Sequence, residues 1–201
     1  MANNAVDHIA TATVSGAYTS TINFDLSSVT VSDYRFFRVQ GQIKSNWTNT
    51  PSRGNGHDFI LQKFNDDATT SNYSWCGLLT DQSATGSNFQ SYLTDSGNGQ
   101  RFGRVPSKGK TYNTTSDCWA IMESYITVTD TNYETTGQTK LMSSGSHISD
   151  GFNSGSYDAS ISLGGFWWNN TAVLTKITYD LVNSYFTAES KLSLYGFKNT
   201  A

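Results

Sequence analysis

The chain has 201 residues, of which 14% are charged and 13% aromatic, with a formal net charge of −3 and a pI near 5.5. That balance offers no basic footprint for nucleic acid, and no apolar run reaches the length of a membrane span, so neither partner is expected. The polar share is Gly, Ser, Thr and Asn, the profile of many short strands joined by polar turns and not of a helical protein.

In chain order, Met1-Ala-Asn-Asn-Ala-Val-Asp-His has neither a basic nor an apolar stretch and does not read as a signal peptide. Without secretion, Cys76 and Cys118 are expected as free buried thiols, in a protein made and assembled in a cytoplasm. Val6 to Val14 is a β-branched run closed by Ser15-Gly16. Tyr18 to Leu26 puts Ile22, Phe24 and Leu26 on one face, and Tyr34 to Ile43 sets Phe37, Val39 and Ile43 against Arg38, Gln40 and Gln42. Lys44 to Gly56 is a loop by composition; His57 to Phe64 and Tyr73 to Leu79 are strands around an Asx-rich turn.

Residues 80–117 show no convincing periodicity and carry Gly and Pro throughout. They read as a long variable loop, or as one that hides short strands. Cys118 to Val128 alternates Met122, Ile126 and Val128 with Glu123, Tyr125 and Thr127. Gln138 to Ser144 is a further strand before a Gly/Ser loop. The last fifth reads as three strands. Ile161 and Leu163 are predicted inward with Ser160 and Ser162 outward; Val173, Ile177 and Tyr179 oppose Lys176 and Thr178; Leu192 and Leu194 oppose Ser193 and Tyr195. The sum is one all-β domain over 1–201, an antiparallel β-sandwich of about ten strands, with Ile161, Leu163, Ile177, Leu192 and Leu194 in its core.

Several motifs resemble a recurrent virion domain of tailed bacteriophages, cyanophages especially. They are Ile22-Asn-Phe-Asp-Leu26, Tyr34-Arg-Phe-Phe-Arg-Val-Gln-Gly41, Phe64-Asn-Asp followed by Asn72-Tyr-Ser-Trp75, Gly164-Gly-Phe-Trp-Trp-Asn-Asn-Thr-Ala-Val-Leu-Thr-Lys-Ile177, and the closing Leu192-Ser-Leu-Tyr-Gly-Phe-Lys198. The resemblance covers nearly the whole chain, least well in the middle loop. It implies a jelly-roll sandwich on tail fibres or capsid surfaces, with a structural or adhesive role and no catalysis. It also implies assembly as a homotrimer beside other virion proteins, such as major capsid or tail proteins. A fibre carries such a domain behind a long shaft. Here the domain starts within ten residues of Met1, which favours a separate decoration subunit or a fibre tip held by a partner.

The residue types offer few sites beside that reading. His8, His57 and His147 are far apart and lack zinc spacing. Asp66 and Asp67 near Asn72, and Asp150 with Asn153 and Asp158, supply oxygen ligands of the kind a structural calcium takes, although Asx residues in turns usually bond their own backbone; no other cofactor is implied. Glu123 and Glu134 are the spare carboxylates for a polysaccharide-degrading enzyme, and no nucleophile elbow occurs. Trp47, Trp167 and Trp168 are candidates to stack on a host-surface glycan; the alternative is that they fill the sandwich or a subunit seam. Arg101 and Arg104, with Arg35 and Arg38, are candidates for contact with a partner's acidic surface. The expected role is a capsid decoration or fibre-associated subunit, the alternative a glycan-binding adhesin.

Overall fold

A computed structural model describes residues 5–46, 57–83, 86–93, 100–106, 119–128, 134–144 and 160–199. The strands are β1 (Val6–Thr13), β2 (Tyr18–Thr19), β3 (Thr21–Asp25), β4 (Tyr34–Ile43), β5 (His57–Phe64), β6 (Tyr73–Ser83) and β7 (Gly86–Leu93). They continue with β8 (Gln100–Pro106), β9 (Trp119–Val128), β10 (Glu134–Ser144), β11 (Ser160–Asn169), β12 (Lys176–Leu181), β13 (Phe186–Thr187) and β14 (Lys191–Lys198). β6 ends inside the stretch read as a variable loop, and β7 and β8 lie wholly within it. These strands escape a periodicity search because Ser, Asn, Gln and Arg occupy so many of their positions.

The strands form an eight-stranded sheet in the order β1-β14-β4-β9-β10-β11-β6-β7 and a four-stranded sheet in the order β3-β12-β5-β8. β2 and β13 make a small separate pair. All the pairings are antiparallel, and four of them nest in sequence: β1 with β14, β3 with β12, β4 with β9 and β5 with β8. Successive nested pairs alternate between the sheets, with β14 beside β4 in one and β12 beside β5 in the other. A ribbon of strand pairs folded over in this way is a jelly roll. Two added pairs, β6 with β7 and β10 with β11, extend the larger sheet beyond β9.

Ile22, Phe24, Phe37, Val39, Ile43, Met122, Ile126, Ile177, Leu192 and Leu194 are buried between the sheets, on the faces their alternation predicts. A polar pin crosses this core. Gln62 of β5 donates to Ser124 Oγ of β9 at 3.2 Å and to Tyr179 Oη of β12 at 3.0 Å, and all three residues are fully buried.

β11 takes the opposite phase from the one its sequence suggests. Ile161 and Leu163 are 45% and 44% exposed, while Ser162, Phe166 and Trp168 face inward. The reason is the Trp75 side chain of β6. A Cβ added at Gly164 would lie 2.3 Å from Trp75 Nε1, and one at Gly77 would lie 2.4 Å from Trp75 Cζ2. An indole laid over two adjacent backbones leaves room for small residues on that face, so the aliphatic pair is turned outward. Val173 is likewise exposed, ahead of the start of β12.

Chemical denaturation distinguishes the two phases of β11. Leu194→Ala is expected to lower stability by about 2–5 kcal/mol, whereas Leu163→Ala stays within about 1 kcal/mol of the unmodified chain.

Candidate functional site

β5 ends at Phe64, and the chain turns through Asn65 and Asp66, whose φ values of 53° and 54° lie in the left-handed region that Asn and Asp tolerate. The turn presents three consecutive polar side chains to segments about a hundred residues away. Asn65 Oδ1 accepts hydrogen bonds from the Thr175 and Lys176 backbone N–H groups at 2.8 and 3.0 Å, and Asn65 Nδ2 donates to the Val173 carbonyl at 2.7 Å. Asp66 accepts from Lys176 Nζ at 2.6 Å and Thr178 Oγ1 at 2.8 Å.

Asp67 gathers the most partners. Its Oδ1 accepts from the Thr69 N–H at 2.8 Å, and its Oδ2 from Asn72 Nδ2 at 2.8 Å, Trp168 Nε1 at 2.8 Å and Asn170 Nδ2 at 3.1 Å. Its carbonyl accepts from the Tyr73 hydroxyl, which in turn accepts from the Phe64 N–H. Beneath this turn the Phe64 ring lies 5.5 Å from that of Phe166 and 5.4 Å from that of Trp168. Partial burial raises the Asp67 pKa, but the donors from Asn72, Trp168, Thr69 and Asn170 outweigh it and hold the carboxyl well below the usual carboxylate range. Lys176 and Thr178 likewise hold the Asp66 carboxyl low.

A second junction ties the first and last strands of the nested ribbon. The Tyr34 hydroxyl donates to Asp7 Oδ2 at 2.8 Å, Lys198 Nζ lies 3.0 Å from the same oxygen, and the Tyr34 ring fills the space where a Cβ at Gly196 would sit.

Of the aspartates considered as calcium ligands, Asp66 and Asp67 are thus engaged with protein donors. Asp66 faces an ammonium, and Asp67 accepts from N–H and O–H groups of the chain at both its carboxylate and its carbonyl. Among the described residues no group of three or more His, Cys, Asp or Glu side chains is arranged to hold a metal. Trp47, His147, Asp150, Asn153 and Asp158 lie outside the described residues. His8 is hydrogen-bonded to Thr11, and His57 pairs with Pro106 where β5 meets β8.

The tandem tryptophans part company. Trp168 is fully buried with its indole N–H on Asp67, which removes it as a sugar platform, while Trp167 is 39% exposed on the outer face of the large sheet. Arg101 and Arg104 sit on edge strand β8, opposite Leu61 and Phe59 in register. Arg38 lies 5.4 Å from the Tyr195 and Phe197 ring centroids and 3.9 Å from Glu123, so it is engaged within its own sheet; Arg35 is exposed. Glu123 pairs in register with Lys140, six residues along β10 from Glu134. At about 3.3 Å per residue the two glutamate backbones stand roughly 20 Å apart. Cys76 is exposed and in no disulfide, not the buried thiol expected; Cys118 lies outside the described residues. An open depression of about 250 Å³ beside β1 and β3, lined in part by Val14, Tyr18, Ile22 and Asn23, holds no carboxylate, histidine or cysteine.

Sequence reasoning missed an exposed apolar strip on the outer face of the large sheet. Leu78 of β6 lies opposite Leu163 of β11, flanked along the strand by Ile161 and Trp167, with Ile121 exposed two strands away on β9. The signal was present in the Ile161 and Leu163 alternation, which was assigned to the wrong face.

No protein-family model matches this chain, and no curated protein matches it. Among solved structures, a botulinum neurotoxin type G receptor binding domain is similar at a TM-score of 0.21 and 8% identity, over 94% of this chain and 44% of that one. The chain therefore spans under half the length of that neighbour, and a likeness so slight carries no functional argument.

Asp67→Asn is expected to cost about 2–3 kcal/mol, because a carboxylate serving several donors is replaced by a group that brings a donor of its own. The pH dependence follows from the lowered pKa. The unfolded chain takes up the Asp67 proton first, so this contribution is complete above the ordinary aspartate range and is lost as pH falls below about 4. Urea titrations across that range are expected to show a shallower acid loss in Asp67→Asn than in the unmodified chain.

Proposed function

We propose that this chain is a structural, non-catalytic subunit on the exterior of a tailed-phage particle, a decoration or fibre-associated protein that stabilises the particle through repeated subunit contacts. One observation carries the reading. The motifs that resemble the virion domain meet each other in space: Asn65, Asp66 and Asp67 bind Asn72, Trp168, Asn170 and the segment from Val173 to Thr178, and Tyr34 packs on Gly196. Contact between motif segments about a hundred positions apart is what a shared fold would require of them, and this supports the reading. The exposed strip of Leu78, Ile161, Leu163 and Trp167 supports a role in assembly, since exposed apolar patches mark contact surfaces. Partners of this subunit would be copies of itself, as a trimer in the resembling domains, and a capsid or tail protein, in virions assembled in the bacterial cytoplasm.

A second reading, adhesion to a host-surface glycan, rests on Trp167, whose ring is exposed and available for stacking on a sugar. It predicts loss of glycan binding in Trp167→Ala with no loss of incorporation into particles.

Gold-labelled antibody against this chain, viewed on intact particles by electron microscopy, tests the proposal. Label over the head or along the fibres is the expected result, and its position separates decoration from fibre. Intact particles that carry no label would overturn an exterior role.

A further inference from the structure

Among the described residues the two large sheets have four edge strands, and three carry features that discourage another strand from adding to them. β1 contains Asp7 and has its register broken between His8 and Ala10. β3 is only five residues long and ends on Asp25. β8 contains Arg101 and Arg104, ends on Pro106, and pairs with β5 across a register shift. β7 has none of these. Its eight residues, Gly86-Ser-Asn-Phe-Gln-Ser-Tyr-Leu93, include no charge and no proline, and they pair with β6 without a shift from Gly86 opposite Ser83 to Leu93 opposite Cys76. Among the described residues no strand lies along its other side.

The exposed apolar strip begins one strand in from this edge. Ser91 of β7 is opposite Leu78, and Leu78 is opposite Leu163. The unguarded edge and the apolar strip therefore form one continuous corner of the large sheet.

We propose that β7 pairs antiparallel with β7 of a second copy of this chain, joining two eight-stranded sheets into one. The outer side of an edge strand is a template on which another strand can pair, and an uncharged strand meets no repulsion from an identical uncharged strand. The other edges the chain could offer are blunted by charge, brevity or a register break, which leaves β7 as its own best match. Pairing about a two-fold axis makes the contact isologous. Each copy has one such edge, so the assembly closes at two, and the apolar strips of both copies come to lie on the same joined sheet. This closed dimer is an alternative to the three-fold assembly that the phage resemblance implies, and it does not depend on the phage reading.

Sedimentation velocity on the full chain across a dilution series, paired with hydrogen–deuterium exchange, tests it. The expected result is a monomer–dimer equilibrium in which β7 amides gain protection as dimer forms. A Ser87→Lys, Ser91→Lys double variant is expected to weaken dimerisation by about tenfold or more, with its circular dichroism and Tm retained, while Thr11→Lys on β1 leaves the dimer intact. A monomer at every concentration, a trimer, or concentration-dependent protection confined to other strands would overturn the proposal. So would a folded double variant that dimerises as before, or β7 amides already fully protected in the monomer by another segment of the same chain. If the double variant does not fold, the exchange pattern of the unmodified chain decides alone.

Discussion

The Asp67 carboxylate accepts hydrogen bonds from Thr69, Asn72, Trp168 and Asn170, and so joins the turn after β5, the start of β6 and the end of β11 at one point. A jelly roll depends on such joints because its strands are paired with partners distant in sequence, and each pairing leaves a turn to be fixed against a remote segment. Here the turn is fixed three times over, by Asn65 to the chain entering β12, by Asp66 to Lys176 and Thr178, and by Asp67 to Trp168. An indole N–H buried without an acceptor costs about 1–3 kcal/mol. The carboxylate removes that cost and lets Trp168 of β11 sit wholly inside the sandwich.

The two sheets differ in width, and the difference shapes the surface. The four-stranded sheet is matched by the nested strands of the larger one. The four added strands carry the larger sheet outward, away from the strands of the basic jelly roll. Along this extension the inner face is built from Tyr73, Trp75, Phe166 and Trp168 with glycines beneath the Trp75 indole, while aliphatic side chains stand outside. A wide sheet with an aromatic inner face and an apolar outer strip presents the kind of surface that other proteins pack against.

Much of the fold was legible from residue alternation. The inward sides of β3, β4, β9, β12 and β14 follow from Ile22 and Phe24, Phe37 and Val39, Met122 and Ile126, Ile177, and Leu192 and Leu194, because each strand has one clearly more apolar face. β11 was misread because both its faces are populated: Ile161 and Leu163 on one, Phe166 and Trp168 on the other, with the choice made by a neighbour, Trp75, that no local pattern reveals. β7 and β8 were hidden by polar composition. At the candidate site, Asp66, Asp67 and Asn72 were visible as an oxygen-rich cluster. Whether such oxygens face a cation or the protein's own donors depends on Trp168, Asn170 and Lys176, about a hundred residues on, and sequence spacing cannot place those. The adjacent Trp167 and Trp168 were equivalent as letters; the pleat of β11 makes one a surface residue and the other a buried donor.

The central claim is that these motif residues brace the sandwich instead of waiting for a ligand. Native-state hydrogen exchange at the Trp168 indole N–H, followed by nuclear magnetic resonance with denaturant added in steps, tests it most directly. If the Asp67 joint is integral to the fold, that proton exchanges only when the whole domain unfolds, with the same free energy as the core amides of β4 and β14. Exchange through a low-energy local opening, while those strands stay protected, would contradict the account and return Asp67 to the set of groups free to bind something else.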